Sequence, residues 1–197
     1  RGIEKAQKRV EARNFEIRKS LLDYDEVMDT QRQTIYGQRQ SALEGDDLKE
    51  TILDMFSDVV GGMTSSRFSG SETGEPDLDG LKRELQTRFG VEIDVSSLPT
   101  SEGLELVTES VLSSVSNKYE ERETQISDER MRSLERFLVL NTIDSKWKDH
   151  LREMDVLKRG IGLRGYAQQD PRVEYKREGY EKFQEMLGAV AEEVTTL

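Results

Sequence analysis

No proline occurs before Pro76, and glycine interrupts the first 44 residues only at Gly2 and Gly37. A stretch this free of breakers is open to a long uninterrupted helix, and the placement of its apolar residues selects one. Ile3, Ala6, Val10, Ile17, Leu21, Tyr24, Met28 and Ile35 follow one another in steps of three, four or seven, with Asn14 and Gln31 filling gaps in the stripe. That is one face of an α-helix. A second, shorter set, Phe15, Leu22 and Tyr36, recurs at seven and fourteen residues, so this helix is expected to touch neighbours on more than one side. At about 1.5 Å per residue it reaches about 66 Å. That exceeds the width of a small domain, so the helix must run along several neighbours. Periodicity alone allows a plainer description as well, a coiled-coil-like helix with a solvated charged face.

The rest of the composition fits an extended helical protein. Of the 197 residues 34% are apolar and 35% charged, a low apolar share for one compact globule. The chain opens on Arg1 rather than Met, as a fragment or a processed protein would. There is no cysteine, which excludes disulfides and thiolate metal sites. No apolar run approaches the ~18 residues of a membrane span. Residues 1–44 carry 9 basic and 8 acidic residues, residues 45–127 carry 7 and 18, and residues 128–197 carry 13 and 14. The net charge of −11 therefore lies in the middle segment, which argues for three units and against that segment as a nucleic-acid surface.

In residues 45–127, Gly45 with Asp46 and Asp47 reads as a helix stop and a fresh N-cap. Leu48, Ile52, Met55, Phe56, Val59 and Val60 predict a short amphipathic helix, followed by a glycine- and serine-rich loop from Gly61 to Pro76. Asp77 is placed to cap a helix carrying Leu78, Leu81, Leu85 and Phe89, which Gly90 ends. Residues 91–95 alternate like a strand but have no evident partner, so they are expected to be extended. Ser101 and Glu102 open a further helix with Leu104, Val107, Val111, Val115 and Tyr119 on one face. The acids here lack the spacing of a calcium loop and read as a solvated surface.

Residues 128–197 predict a helical hairpin: a helix over 128–161, a loop over 162–171 and a second helix over 172–197. Leu140, Ile143, Trp147, Leu151, Met154, Leu157 and Ile161 form one seam, and Tyr180, Phe183, Leu187, Val190, Val194 and Leu197 the other. An antiparallel pair joined by a short connection is expected to bury Trp147 and Leu151 against Tyr180, Phe183 or Leu187. Between the seams, residues 158–172 carry Lys158, Arg159, Arg164 and Arg172 around a single aromatic residue, Tyr166. Gly160, Gly162 and Gly165 satisfy the dinucleotide fingerprint, but a helix precedes them where a strand is required, so they are expected to end the helix instead. His150, the only histidine, has no partner for a zinc site and is expected to be a polar position beside Trp147. The basic tip suits either phosphate contact around a stacking tyrosine or contact with an extended polypeptide; one aromatic residue and the acidic balance elsewhere weaken the first.

Three blocks in order carry a family resemblance. The first is Ala12, Arg13, Asn14, Phe15, Glu16, Ile17, Arg18 and Lys19, followed by Leu21 to Val27 and by Gln31 and Arg32. It resembles the long scaffold helix of the SecA family, the ATP-driven motor subunits of bacterial preprotein translocases. The others are Ser145 to Leu151 and, further on, Gly160 to Gln168 with Asp170, Pro171 and Glu174 to Glu178, which are similar to the family's two-helix finger. By position, residues 45–127 correspond to its helical wing.

The resemblance implies an all-α fragment: a long scaffold helix over 1–44 packed with an antiparallel finger over 128–197, plus a small wing. It implies that Arg13, Asn14, Phe15, Ile17, Arg18, Leu22 and Tyr24 meet nucleotide-binding and preprotein-crosslinking domains of the same parent chain. Tyr166, assisted by Arg164 and Gln168, then contacts preprotein at the mouth of a SecYEG-type channel, while Trp147, Leu151, Phe183 and Leu187 form the finger's core. The implied location is cytoplasmic, peripheral at the inner face of the bacterial plasma membrane. ATP and magnesium belong to the parent protein: no G-x-x-x-x-G-K-[ST] occurs here, so no catalysis, cofactor, metal or nucleic acid is expected of this segment alone. Phe15, Leu22 and Ile35 are expected to drive self-association of the isolated segment. The competing expectation is a non-catalytic helical interaction module without substrate contact.

Overall fold

The structure, a computed structural model, describes residues 2–45, 48–69, 76–164 and 170–196. Among the described residues the fold is all-α. Its helices are α1 (Gly2–Glu44), α2 (Leu48–Ser69), α3 (Leu78–Phe89), α4 (Leu104–Ile126), α5 (Asp128–Arg164) and α6 (Pro171–Val194), with a 3-10 turn at Val95–Ser97. The chain divides into two compact units, Arg1–Gln38 with Ser145–Met186, and Arg39–Asp144 with Leu187–Leu197. Their boundaries fall inside α1, α5 and α6 rather than at the charge shifts near residues 45 and 127.

The first unit is a three-helix arrangement of α1, α5 and α6. Contacts of α1 with α5 run in opposite order along the two chains (Asp25 to Lys158, Gln31 to His150), whereas those with α6 run in the same order (Asp23 to Arg172, Gln31 to Gly179). Helices α5 and α6 are antiparallel, pairing Glu153 with Lys182 and His150 with Phe183. Met154, Leu157, Ile161 and Tyr175 form a buried cluster, against which Tyr24, Val27 and Met28 of α1 pack. Tyr24 meets Tyr175 edge-on, with ring centroids 4.8 Å apart.

Two seams differ from their sequence expectation. On α5 the buried stripe runs Ile143, Trp147, His150, Met154, Leu157, Ile161, an unbroken 4-3-4-3-4 spacing, and Leu151 is 36% exposed. In that core position the histidine's Nε2 finds a partner, Gln31, and the leucine one residue on is turned outward. On α6 the stripe runs Tyr175, Gly179, Phe183, Met186, Val190, while Tyr180 is 63% exposed and Leu187 only half-buried. Gly179 occupies the closest approach: a Cβ there would lie 2.7 Å from Met154 Cε and 3.6 Å from Val27 Cγ1. Gly160 and Gly162 do not end α5, which continues to Arg164. A glycine in a helix costs only about 1 kcal/mol against alanine, which the buried Leu157 and Ile161 outweigh.

In the second unit α2 and α4 pack antiparallel, with Lys49 bonded to Glu123 at one end and Thr64 to Thr108 at the other. Phe56 is wholly buried between Phe89 of α3 and Tyr119 of α4, at centroid distances of 5.8 and 5.7 Å. The predicted loop from Gly61 begins too early, because α2 runs through both glycines to Ser69. Buried Met63 and Thr64 hold that last stretch. Helix α4 starts at Leu104 behind Gly103, not at Ser101. Where α4 meets α5, the Tyr119 hydroxyl donates to Glu135 (2.6 Å) and accepts from Arg132 (2.7 Å), which also reaches Glu123. Burial pushes both the Tyr119 hydroxyl and the Glu135 carboxyl above their ordinary values.

Helix α3 shows how local chemistry sets an element. The Asp77 carboxylate accepts from Gly80 N at 2.9 Å, and Gly90, at φ +61°, donates its N–H back to Gln86 and Leu85. That left-handed position favours glycine. Gly90→Ala is expected to cost about 1 kcal/mol, read as a lowered denaturation midpoint with an unchanged slope.

Candidate functional site

The stems of the α5–α6 connection sit at one end of the three-helix unit. Asp170 caps α6: its carboxylate accepts from Arg172 N at 2.9 Å, and its carbonyl accepts from Val173 and Glu174. Pro171 follows at the first helical position, where a missing N–H costs nothing. Arg172 then folds back on the cap. Its Nε and Nη2 lie 3.1 and 2.8 Å from the two Asp170 oxygens, and its Nη1 reaches Asp23 of α1 at 3.2 Å. The guanidinium holds the Asp170 carboxyl at about 2, and the two carboxylates raise Arg172 in turn. On the other stem, Lys158 reaches Asp25 at 3.4 Å and lies over the Tyr24 ring at 5.7 Å from its centroid. Lys176 reaches Glu26 at 3.3 Å. Two of the four loop-region cations are therefore engaged by α1 rather than presented for a phosphate.

The Asp170 pair has a pH signature. A carboxyl held below its ordinary value stabilises the fold above that value, and the contribution is lost as pH falls through the folded pKa. The start of α6 is expected to loosen between about pH 4 and pH 2, and the Asp170 carboxyl-carbon shift should titrate near its folded value of about 2. The same loosening is absent from an Asp170→Asn variant.

Behind the stems lies a buried polar relay. Gln31 of α1 donates Nε2 to the Gly179 carbonyl at 2.9 Å, and its Oε1 lies 2.8 Å from His150 Nε2. The carbonyl can only accept, so the amide nitrogen faces Gly179 and the amide oxygen faces the histidine. His150 therefore donates through Nε2, in the neutral tautomer. Burial pushes its pKa down, and its ring stacks on Trp147 at 5.5 Å.

Of the other residues singled out from sequence, Tyr166 and Gln168 lie outside the described residues, as does the side chain of Arg164, which ends α5. Trp147 and Phe183 are buried on either side of His150. On α1, every described residue from Gly2 to Leu22 is exposed, with Phe15 at 64% and Leu22 at 69%. Arg13, Asn14 and Arg18 lie on this stretch, where Arg18 donates to the Asn14 carbonyl; the Ile17 side chain lies outside the description. Tyr24 is instead engaged within the unit. Ile35 is 1% exposed, so it cannot serve the self-association expected of it. Among the described residues no group of three His, Asp or Glu is arranged to hold a metal, and no helix is long and apolar enough to cross a membrane.

Gln31, Gly179 and the α1 acids Asp23, Asp25 and Glu26 were not singled out from sequence as site residues. The signal for Gln31 was its place in the α1 stripe; that for the acids was three carboxylates within four positions of a helix facing a basic hairpin.

An all-α chain with a long helix bound along a helical hairpin is a scaffold architecture, and the comparisons agree. The family model described as the SecA wing and scaffold domain matches residues 1–197, and the chain belongs to that family. It is similar to the protein translocase subunit SecA of Syntrophobacter fumaroxidans, 45% identical across 100% of this chain and 24% of that protein. The corresponding subunit of Koribacter versatilis is 45% identical across 98% of this chain and 20% of the relative, and that of Leifsonia xyli 43% identical across 98% and 21%. The chain thus spans less than a quarter of the length of these curated relatives.

Proposed function

We propose that this chain is the scaffold, wing and finger portion of an ATP-driven preprotein-translocation motor, and that the loop between α5 and α6 contacts the moving polypeptide at a SecY-type channel. In this reading Tyr166 is the contacting side chain, flanked by Arg164 and Gln168. A tyrosine ring offers apolar area and one polar handle, which suits varied sequences. Nucleotide-binding domains elsewhere in the parent chain supply ATP hydrolysis with magnesium and rest on the exposed face of α1 at Arg13, Asn14, Phe15, Arg18 and Leu22. The motor works in the cytoplasm, peripheral at the inner membrane face.

The observation that carries the reading is a family match across all 197 residues. It is tested by exchanging the matching segment of a full-length relative for this chain. ATP-driven preprotein translocation by the chimera is the expected result; a folded, nucleotide-binding chimera that moves no preprotein counts against it.

The exposed apolar residues of α1 favour one second reading, a helical interaction module without substrate contact. There Tyr166→Ala leaves function intact while Leu187→Asp abolishes it. The motor reading expects Tyr166→Ala to impair translocation.

A further inference from the structure

The hairpin's two stems are held by one short segment of α1. Asp23, Asp25 and Glu26 face Arg172, Lys158 and Lys176 respectively, at 3.2, 3.4 and 3.3 Å. The first and third cations lie on α6, the second on α5. Arg172 also grips the α6 cap, so its guanidinium joins Asp23 of the long helix to Asp170 at the start of α6. The pairs are well exposed, and isolated exposed pairs contribute little stability. Their common feature is geometric: acids within one helical turn reach cations on both stems, 14 and 18 residues apart in sequence.

We infer that Asp23, Asp25 and Glu26 are positioning residues, an electrostatic clamp that fixes both stems of the finger loop to the long helix so that displacement of that helix is passed to the loop. The inference rests on the motor reading for its consequence, and on the ion pairs alone for its geometry. The clamp sits beside the buried Gln31 relay, which ties the same three helices together. The relay supplies the pivot, and the exposed pairs set the orientation of the stems. Because the pairs are open to solvent, the clamp is salt-sensitive: ~1 M salt shortens the screening length to about 3 Å and weakens it.

The test uses the full-length parent motor carrying this segment. One variant neutralises the acids (Asp23→Asn, Asp25→Asn, Glu26→Gln); a second exchanges two pairs (Asp25→Lys with Lys158→Asp, Glu26→Lys with Lys176→Glu). Hydrogen exchange of amides 173–177 reads the clamp directly. Preprotein moved per ATP hydrolysed reads its consequence. At low salt the neutralised variant is expected to exchange about tenfold faster at these amides and to move at least threefold less preprotein per ATP hydrolysed. The exchanged variant recovers both, and high salt abolishes the difference between variants. Unchanged exchange in the neutralised variant overturns the clamp, as does failure of a folded exchanged variant to recover. Faster exchange with an unaltered yield per ATP overturns the positioning role. Crosslinking from position 166 in the unsubstituted motor is a separate measurement, so failure of the motor reading and failure of the clamp are told apart.

Discussion

Phe56→Ala is expected to destabilise the second unit by about 3–5 kcal/mol. The side chain is wholly buried and its ring meets both Phe89 and Tyr119 edge-on. Removing it deletes two aromatic contacts and leaves a space that three separate helices, α2, α3 and α4, would have to close. Helices tied at both ends cannot collapse fully: α2 and α4 are pinned by the Lys49–Glu123 and Thr64–Thr108 bonds. The cost therefore belongs at the upper part of the range. A thermal melt followed by far-ultraviolet circular dichroism should show a midpoint lower by about 10–20 °C. Phe56→Leu, which fills most of the volume, should recover more than half of the loss.

Gln31→Leu should cost about 2 kcal/mol, because it leaves the His150 Nε2–H buried without an acceptor. The paired change Gln31→Leu with His150→Leu should recover most of that loss, since removing both partners leaves no buried donor. The cycle thus separates the worth of the bond from the penalty of breaking one side. A pH dependence accompanies it. His150 is held below its ordinary value of 6.5 by burial. The unfolded chain takes up the proton first, so stability is full above that value and falls as the solution is acidified. That acid-side loss should vanish from any His150→Leu variant. Trp147 stacks on His150 and is the only tryptophan, so its fluorescence follows both the unfolding and the titration.

The same pair of residues marks what was legible in sequence. The all-helical character was readable from breaker-free stripes, and α3 from Asp77 and Gly90, because caps and apolar periodicity are local properties. The seams of the hairpin were read one position off at Leu151 and at Tyr180. An apolar pattern cannot register His150, whose buried Nε2–H donates to Gln31 Oε1, 119 residues earlier. Nor can it register Gly179, whose value is the side chain it lacks. Gly61, Gly62 and Gly160 misled in the opposite direction: their helix penalty is real, but neighbouring buried side chains override it. At the candidate site the cap Asp170–Pro171 is local chemistry of the kind a sequence displays. The clamp from Asp23, Asp25 and Glu26 is not, since it depends on which helix the hairpin meets.

The central claim is that this hairpin carries its loop to a moving polypeptide. A photo-reactive residue placed at position 166 of the full-length motor, with position 148 on the outward face of α5 as control, measures this directly. With preprotein stalled during ATP-driven transport, the account predicts a crosslink to preprotein from position 166 that requires ATP and is at least several-fold stronger than from position 148. An active motor that gives no such crosslink, or equal crosslinks from both positions, contradicts it.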